Sequence, residues 1–211
     1  MRKIILPAAA VFVLMATQAR AGEIPYPNIG TVAPTVTLTA SSTGEIVGEF
    51  ILGGSLSGGT AGDTDYVQVI DVTQNTSSGW VFDNQTTTTG TSDDFLSVNA
   101  GDELEIELLN SSAGYILSSI PADSADSVNH AYITSFAGGV LNGYTFGAGT
   151  YVGMEDLATF DDSDLNYADD TFVFQNLTSS NPSATPEPGS FYLLGSGIVG
   201  LAAMLRRKVI A

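Results

Sequence analysis

The sequence of 211 residues contains no cysteine, one histidine and one tryptophan, and only six of its residues are Lys or Arg. Without thiols the chain forms neither disulfides nor cysteine-ligated zinc or iron–sulfur sites. All six bases lie near the two chain ends, and residues 22–185 contain no Lys or Arg. This segment cannot build the basic surface that phosphate requires, so nucleic acid is excluded as a partner.

Acidic residues dominate the segment that lacks bases. Of the 23 Asp and Glu residues only Glu187 lies outside residues 22–185, so this segment has a formal charge of −22 with its histidine neutral. Its carboxylates must be satisfied by water, backbone donors or a bound cation, because no Lys or Arg is present to pair with them. The segment is long enough for one domain with its own core.

The N-terminus has the pattern of an export signal. A basic start at Arg2 and Lys3 precedes an apolar run over residues 4–15, and the small residues Ala19 and Ala21 follow at the positions that a signal peptidase recognises. We predict that residues 1–21 are a signal peptide cleaved after Ala21. The chain is then exported through the inner membrane.

The C-terminus has three consecutive parts: a polar linker ending in a Pro-Glu-Pro motif, an apolar stretch and a basic tail. They are formed by residues 179–188 with Pro186, Glu187 and Pro188, by residues 189–205, and by residues 206–211 with Arg206, Arg207 and Lys208. The apolar stretch has the length of a short membrane-spanning helix, and we predict a single transmembrane helix there. The bases after it are expected to stay cytoplasmic, which places the acidic domain on the exported side.

This tail resembles the PEP-CTERM sorting signal of Gram-negative bacteria in the order and spacing of its three parts. The resemblance implies that an exosortase, a membrane-embedded cysteine protease, cleaves near the motif after the helix has entered the inner membrane transiently. It also implies release to the cell surface or the extracellular matrix. Proteins with this signal are usually encoded beside exopolysaccharide and biofilm functions.

Residues 22–178 show the periodicity of β-strands. In residues 103–108 three acids alternate with three apolar residues, which predicts a strand with one solvent-exposed face and one buried face. Turn-forming Gly, Asn and Asp clusters separate several such segments, so we predict an all-β, antiparallel β-sandwich or jelly-roll-like domain. The predicted strands are residues 35–39, 45–52, 66–73, 79–82, 103–108, 115–118, 131–136 and 171–177.

The strongest chemical signal is a group of seven acids within residues 155–170. Asp162, Asp164 and Asn166 are spaced like the first three ligands of an EF-hand loop. Tyr167 and Val173 stand where that loop needs Gly and a bidentate Glu, so the segment is not an EF-hand.

A calcium site of another kind is predicted here, because crowded oxygen ligands without a nearby base suit a hard cation of this size. The alternative is an acidic loop that is only solvated. The candidate ligands are Glu155, Asp156, Asp162, Asp164, Asn166, Asp169 and Asp170.

The region of about residues 95–177 also resembles a secreted bacterial domain of unknown function. The matching positions are Ala100–Gly101–Asp102 with Leu104, His130 before residues 131–136, the segment 153–157, Asp162, Asp164, Asp170 and residues 172–174. The chain departs from that pattern at Met154, where the family has Phe, and over residues 165–169, where the family is shorter. The acidic ending of the family's pattern implies a calcium site.

Catalytic patterns are weak in this sequence. A Ser-His-Asp triad would have to use His130, with Asp126 as a candidate partner, and the acid pair Glu155 and Asp156 would be needed for glycoside hydrolysis. We predict a non-enzymatic structural or binding protein of the surface or biofilm matrix, with anionic exopolysaccharide as a partner beside signal peptidase and exosortase. The alternative is a secreted hydrolase acting on matrix polysaccharide.

Overall fold

The computed structural model describes residues 24–53 and 62–180, in which almost all regular structure is β. The predicted signal peptide, transmembrane helix and basic tail lie outside the described residues. A single turn of 3-10 helix, Pro121–Asp123, accompanies the described strands. These strands are β1 (Leu38–Ala40), β2 (Gly44–Gly53), β3 (Asp65–Asp71), β4 (Thr76–Ser77), β5 (Val81–Asp83), β6 (Ser92–Val98), β7 (Glu103–Asn110), β8 (Tyr115–Ser118), β9 (Ala131–Phe136), β10 (Gly139–Leu141), β11 (Tyr144–Phe146), β12 (Gly149–Met154), β13 (Asp170–Gln175) and β14 (Leu177–Ser179).

The strands form two large antiparallel sheets. The first has the order β14-β1-β7-β3-β4, with β5 also paired to β3 and β8 also paired to β7. The second has the order β6-β2-β13-β12-β9, and β10 and β11 form a separate hairpin. The predicted all-β class with antiparallel sheets is confirmed.

The main hydrophobic core lies between the two sheets. In β3 every second residue is buried, and Val67 and Val69 point into this core together with Ile106 of β7. A cluster of aromatic rings fills part of this core. The second sheet contributes Phe50, Phe95, Phe172 and Phe174, and the first sheet contributes Phe82. Because side chains from both sheets share one core, the fold is a β-sandwich.

The second sheet is also covered on its outer face. Side chains that alternate with the core residues, such as Tyr132, Tyr151 and Val173, form a second cluster on that face. Tyr26 of the N-terminal segment and Tyr167 of the loop before β13 cover them, and the rings of these two residues meet edge to face with centroids 4.9 Å apart. The loop that holds most of the predicted ligands is therefore packed against the sandwich.

Five predicted strands coincide closely with observed strands, namely those over residues 45–52, 66–73, 103–108, 115–118 and 131–136. The strand predicted over 35–39 begins only at Leu38, and the one over 79–82 is displaced to β5. The segment over 171–177 is divided into β13 and β14 at Asn176, whose φ of 62° breaks the extended backbone. No strand was predicted at β4, β6 or β12, or at the hairpin of β10 and β11.

The prediction of one solvent-exposed face for residues 103–108 is wrong. Glu105 and Glu107 are only 5% and 8% exposed. Strand β7 is central in its sheet, with β3 on one side and β1 and β8 on the other. Glu105 accepts a hydrogen bond from the Ser118 hydroxyl, and Glu107 accepts one of 2.6 Å from the Gln68 amide. Side-chain partners thus replace water on this face.

Burial raises the pKa of Glu105 to about 7, and the neighbouring charges of Glu107 and Asp123 act in the same direction. A carboxyl group whose pKa is raised by folding binds more protons in the folded state than in the unfolded state. Stability is therefore lost as the pH rises from the ordinary carboxyl range through 7.

We predict that the free energy of unfolding depends less on pH between about 5 and 7 in Glu105→Gln than in the wild type. The slope of that free energy against pH should differ by up to about 1.4 kcal/mol per pH unit, the value for one proton. The measurement is urea denaturation of the full-length protein at a series of pH values. Glu103→Gln is the matched control, because Glu103 is exposed on the same strand. An equal pH dependence in the wild type and Glu105→Gln would contradict this prediction.

Candidate functional site

The candidate site lies at one end of the second sheet, where β12 ends and β13 begins. These strands are antiparallel neighbours, and Met154 is paired with Asp170. Residues just after Met154 and just before Asp170 must therefore meet at the same end of the sheet. This register brings Glu155 and Asp156 close to Asp169, although more than ten positions separate them in the sequence.

Glu155, Asp156 and Asp169 form a convergent group. One carboxylate oxygen of each lies within 4.8 Å of those of the other two, which is a spacing suited to a shared metal ion. The backbone N–H of Asp156 donates to Oδ2 of Asp169 at 3.3 Å, which fixes the two residues relative to each other. All three are among the ligands predicted from the sequence.

Glu155 also organises the acidic loop. Its Oε1 accepts a hydrogen bond of 2.8 Å from the Ser163 hydroxyl, and its Oε2 accepts one of 3.0 Å from the N–H of Asn166. At the end of the loop the Tyr167 hydroxyl donates to the carbonyl of Asn129 at 3.1 Å and accepts from the N–H of Ala33 at 2.8 Å. The loop is thus held at both its start and its end.

The convergent group does not include Asp162 or Asp164, and Asn166 contacts Glu155 of that group through its backbone N–H. Asp162 is exposed and has a positive φ of 60°. Oδ2 of Asp164 accepts a hydrogen bond of 2.9 Å from the Asn166 amide, whose own oxygen accepts from the N–H of Ala168. These short-range bonds build turns, so the EF-hand-like spacing does not produce convergent ligands.

Two further acids of the first sheet lie at the same end of the sandwich and were missed by sequence reasoning. Asp63 lies just before β3, and Asp65 is the first residue of β3. Asp65 interacts electrostatically with Asp156 and Asp170. Asp65 is 1% exposed, and Asn84 donates to its Oδ2 at 2.7 Å. The sequence signal for Asp65 was its place in β3: it is an acid in register with the buried apolar residues of an alternating strand.

Asp170, of the predicted set, is 2% exposed and lies against Asp65. The two carboxyl groups are close enough for a hydrogen bond if one of them carries a proton. When both are ionised, Oδ1 of Asp65 and Oδ2 of Asp170 have no hydrogen-bond donor within residues 24–53 and 62–180. Uncompensated buried charge of this kind is costly.

Burial dominates the electrostatics of this end of the sandwich. Burial, together with repulsion from neighbouring carboxylates, raises the pKa of Asp65 to about 8 and that of Asp169 to about 9. Burial also raises the pKa of Glu155 to about 7 and of Asp156 to about 6, and that of Asp170 well above its ordinary value. At neutral pH this group of acids favours uptake of protons or of a cation.

A cleft connects the site to solvent. Its volume is about 510 Å³, and Asp63, Asp156 and Asp161 are the acids in its lining. The Asn110 amide connects two of the lining residues, because it donates to Oδ2 of Asp63 at 2.7 Å and to the carbonyl of Asp156 at 3.0 Å. An ion from solvent therefore has a path to the Asp156 carboxylate.

The histidine considered for a catalytic triad is paired with the expected aspartate. Nε2 of His130 lies 3.0 Å from Oδ1 of Asp126, and Oδ2 of Asp126 accepts a 2.7 Å hydrogen bond from the N–H of Thr159. The imidazole is completely buried, and its Nδ1 has no hydrogen-bond partner among the residues that the structure describes. Burial lowers the pKa of His130, although Asp126 acts in the opposite direction. Within residues 24–53 and 62–180, no serine hydroxyl forms a hydrogen bond with either nitrogen of this ring.

A family model described as the PEP-CTERM protein-sorting motif matches residues 184–208. The chain therefore carries this motif in its C-terminal tail, as the sequence resemblance predicts. No curated protein and no solved structure shows a significant match to the chain. The resemblance of the central region to a domain of unknown function stays a prediction.

Within the described ranges, the structure holds no helix with both the length and the apolar character needed to cross a membrane. The helix predicted over residues 189–205 lies outside these ranges.

We predict that Gly153→Ala destabilises the protein by about 1–3 kcal/mol, the usual cost of overpacking a core. An added Cβ at this buried position of β12 would overlap the carbonyl oxygen of Tyr167 and push the end of the acidic loop away. Gly147→Ala is the matched control, because its Cβ would meet only the Gln175 side-chain amide at 3.3 Å. Thermal melts of both variants test the prediction, and a wild-type melting temperature for Gly153→Ala would refute it.

Proposed function

We propose that this protein is a non-enzymatic structural or binding component of the bacterial surface or extracellular matrix, stabilised there by calcium. The observation that carries the proposal is the sorting motif at residues 184–208, attached to a strongly acidic β-sandwich. The motif implies an exported protein that an exosortase processes. The matrix role and the calcium dependence are the proposed steps.

Charge supports an association with anionic exopolysaccharide through bridging cations. A segment with a charge of −22 and no Lys or Arg repels an anionic polymer at close range. A divalent cation shared between protein and polymer carboxylates reverses that repulsion. The cleft beside Asp63 and Asp161 presents carboxylates to solvent for such a contact.

The burial of the polar groups supports a passive role rather than catalysis. The His130 ring is inaccessible to a substrate, and both carboxylate oxygens of Glu155 are engaged by hydrogen bonds from the acidic loop. A general acid or base must reach the proton that it transfers. Neither residue has that access, so a hydrolase using them is the weaker alternative.

Calcium stabilisation is supported by the convergent group of Glu155, Asp156 and Asp169. These residues offer only oxygen ligands, which suit calcium. Their pKa values are raised first by burial and then by mutual repulsion, and a cation would stabilise the ionised carboxylates against both. Magnesium is less favoured, because it keeps several waters and rarely uses an all-protein cage.

We predict that replacing Pro186, Glu187 and Pro188 by alanine traps an unprocessed form in the inner membrane. The sorting protease would no longer recognise its substrate, while export by the signal peptide would continue. Immunoblots of membrane and culture fractions measure the size and place of the protein. Replacing the linker residues Asn181 and Ser183 by alanine is the control, because they lie outside the matched motif. Appearance of the triple variant in the medium at normal size would refute sorting through this motif.

We predict that calcium at about 100 times its Kd stabilises the full-length protein by about 2.7 kcal/mol, since a ligand that binds only the folded state stabilises it by mass action. For a domain of this size the melting temperature then rises by about 5–10 °C. Circular dichroism melts in chelator and in calcium measure this shift. Asp156→Asn and Asp169→Asn should reduce it.

Controls separate specific binding from screening. Asp162→Asn is the matched variant, because Asp162 is an exposed acid of the same loop that lies outside the convergent group. Magnesium and sodium chloride at equal ionic strength test general screening. An equal response to all salts would refute a specific calcium site.

A further inference from the structure

Two fully buried carboxylates, those of Asp65 and Asp170, face each other between the two sheets. Asp65 begins β3 of the first sheet, and Asp170 begins β13 of the second sheet. They are 1% and 2% exposed, and their carboxyl groups interact directly. The pair thus lies where the two layers of the sandwich meet at the acidic end.

Their surroundings leave two oxygens without a donor. Asn84 satisfies Oδ2 of Asp65 with its amide, and its own oxygen accepts the Asp65 backbone N–H at 3.0 Å. Oδ1 of Asp65 and Oδ2 of Asp170 have no hydrogen-bond partner in the described part of the chain. A base cannot supply one, because residues 22–185 contain no Lys or Arg.

The position is distinct from the convergent group described above. Glu155, Asp156 and Asp169 share one possible ion, whereas Asp65 and Asp170 do not belong to that group. Asp156 belongs to the convergent group, and its charge also acts on both Asp65 and Asp170. When ionised, these five carboxylates carry a charge of −5, of which two divalent cations neutralise four units.

We propose that a second calcium ion binds between the two sheets, with Asp65 and Asp170 as its protein ligands and Asp156 shared with the first ion. The inference deepens the proposed function, because it assumes that the protein meets calcium, but it assigns a separate site. Two carboxylates offer at most four oxygens, and calcium takes six to eight, so Asp156 and water from the cleft complete the coordination. The ion would connect the sheets directly, whereas the first ion connects the ends of one loop.

The test is a calorimetric titration of the full-length protein, purified in detergent and freed of metal by chelator, with calcium chloride. We expect two calcium ions per chain for the wild type. Asp65→Asn and Asp170→Asn should each bind one ion, and Asp169→Asn should retain the ion between the sheets. Asp162→Asn should bind two, as the matched control.

Melts in chelator show whether the variants are folded. Asn has nearly the shape of Asp, and its amide can donate to the remaining carboxylate of the pair. Asp65→Asn and Asp170→Asn should therefore melt at or above the wild-type temperature in chelator, while losing about half of the calcium-induced rise. Loss of binding together with this apo stability cannot come from misfolding.

The outcomes separate this inference from the proposed function. If the wild type binds one ion and Asp65→Asn still binds one, the site between the sheets does not exist and the proposed calcium-stabilised function stands. If the wild type binds none, both fail. If the wild type binds two ions and both Asn variants also bind two, Asp65 and Asp170 are not ligands and the inference is overturned.

Discussion

The absence of any Lys or Arg in residues 22–185 is the constraint on which the rest of the structure depends. Buried carboxylates in other proteins are commonly paired with bases, and here they must find neutral donors. Side-chain amides take that role repeatedly. Gln74 donates to both Asp71 and Asp102, and Gln68 donates to Glu107. The fold therefore satisfies most of its buried acids one by one, with hydrogen bonds from amides, hydroxyls and backbone N–H groups.

This local solution fails only where several acids are buried together. A neutral donor satisfies one oxygen but leaves the repulsion between neighbouring carboxylates in place. Among the described residues, that situation arises at the end of the sandwich that holds Asp65, Asp156, Asp169 and Asp170. A proton or a cation is the remaining way to compensate the charge. The proposal of calcium follows from this shortage of donors more than from the number of acids.

Burial of the second sheet on both faces explains why the acids are held so firmly. Tyr167 packs into the outer cluster and also bonds Asn129 and Ala33, so the loop behaves as part of the core. Gly153 lets the Tyr167 backbone approach β12 at a distance that no side chain would allow. Hydrophobic packing thus forces the carboxylates together, and their repulsion opposes that packing. Any ligand that relieves the repulsion stabilises the whole sandwich.

Local patterns in the sequence were sufficient for the sorting tail, the all-β class and the positions of five strands. They failed for β12, because a strand buried on both faces shows no alternation of polar and apolar residues. They also failed for Glu105 and Glu107, since their alternation looked like a solvent-exposed face but β7 is a central strand.

Only part of the candidate site was predicted, because local patterns reveal residues that are close in the sequence and miss those that packing brings together. Glu155, Asp156 and Asp169 belong to one dense acidic segment, and a strand register that the sequence does not state brings them together. Asp65 comes from about ninety residues earlier in the chain, and only the packing of one sheet on the other places it beside Asp170.

The proposed site also connects folding with export. A domain with a charge of −22 opposes its own compaction, and the buried acids at one end of the sandwich, among them Asp65 and Asp170, repel each other. Calcium at the roughly millimolar concentrations used by extracellular modules binds such carboxylates, and a compartment poor in calcium leaves them to protons. On the proposed function, the stable form of the sandwich is therefore reached outside the cytoplasm. A protein that crosses the inner membrane before it folds benefits from a core that is completed by an ion at its destination.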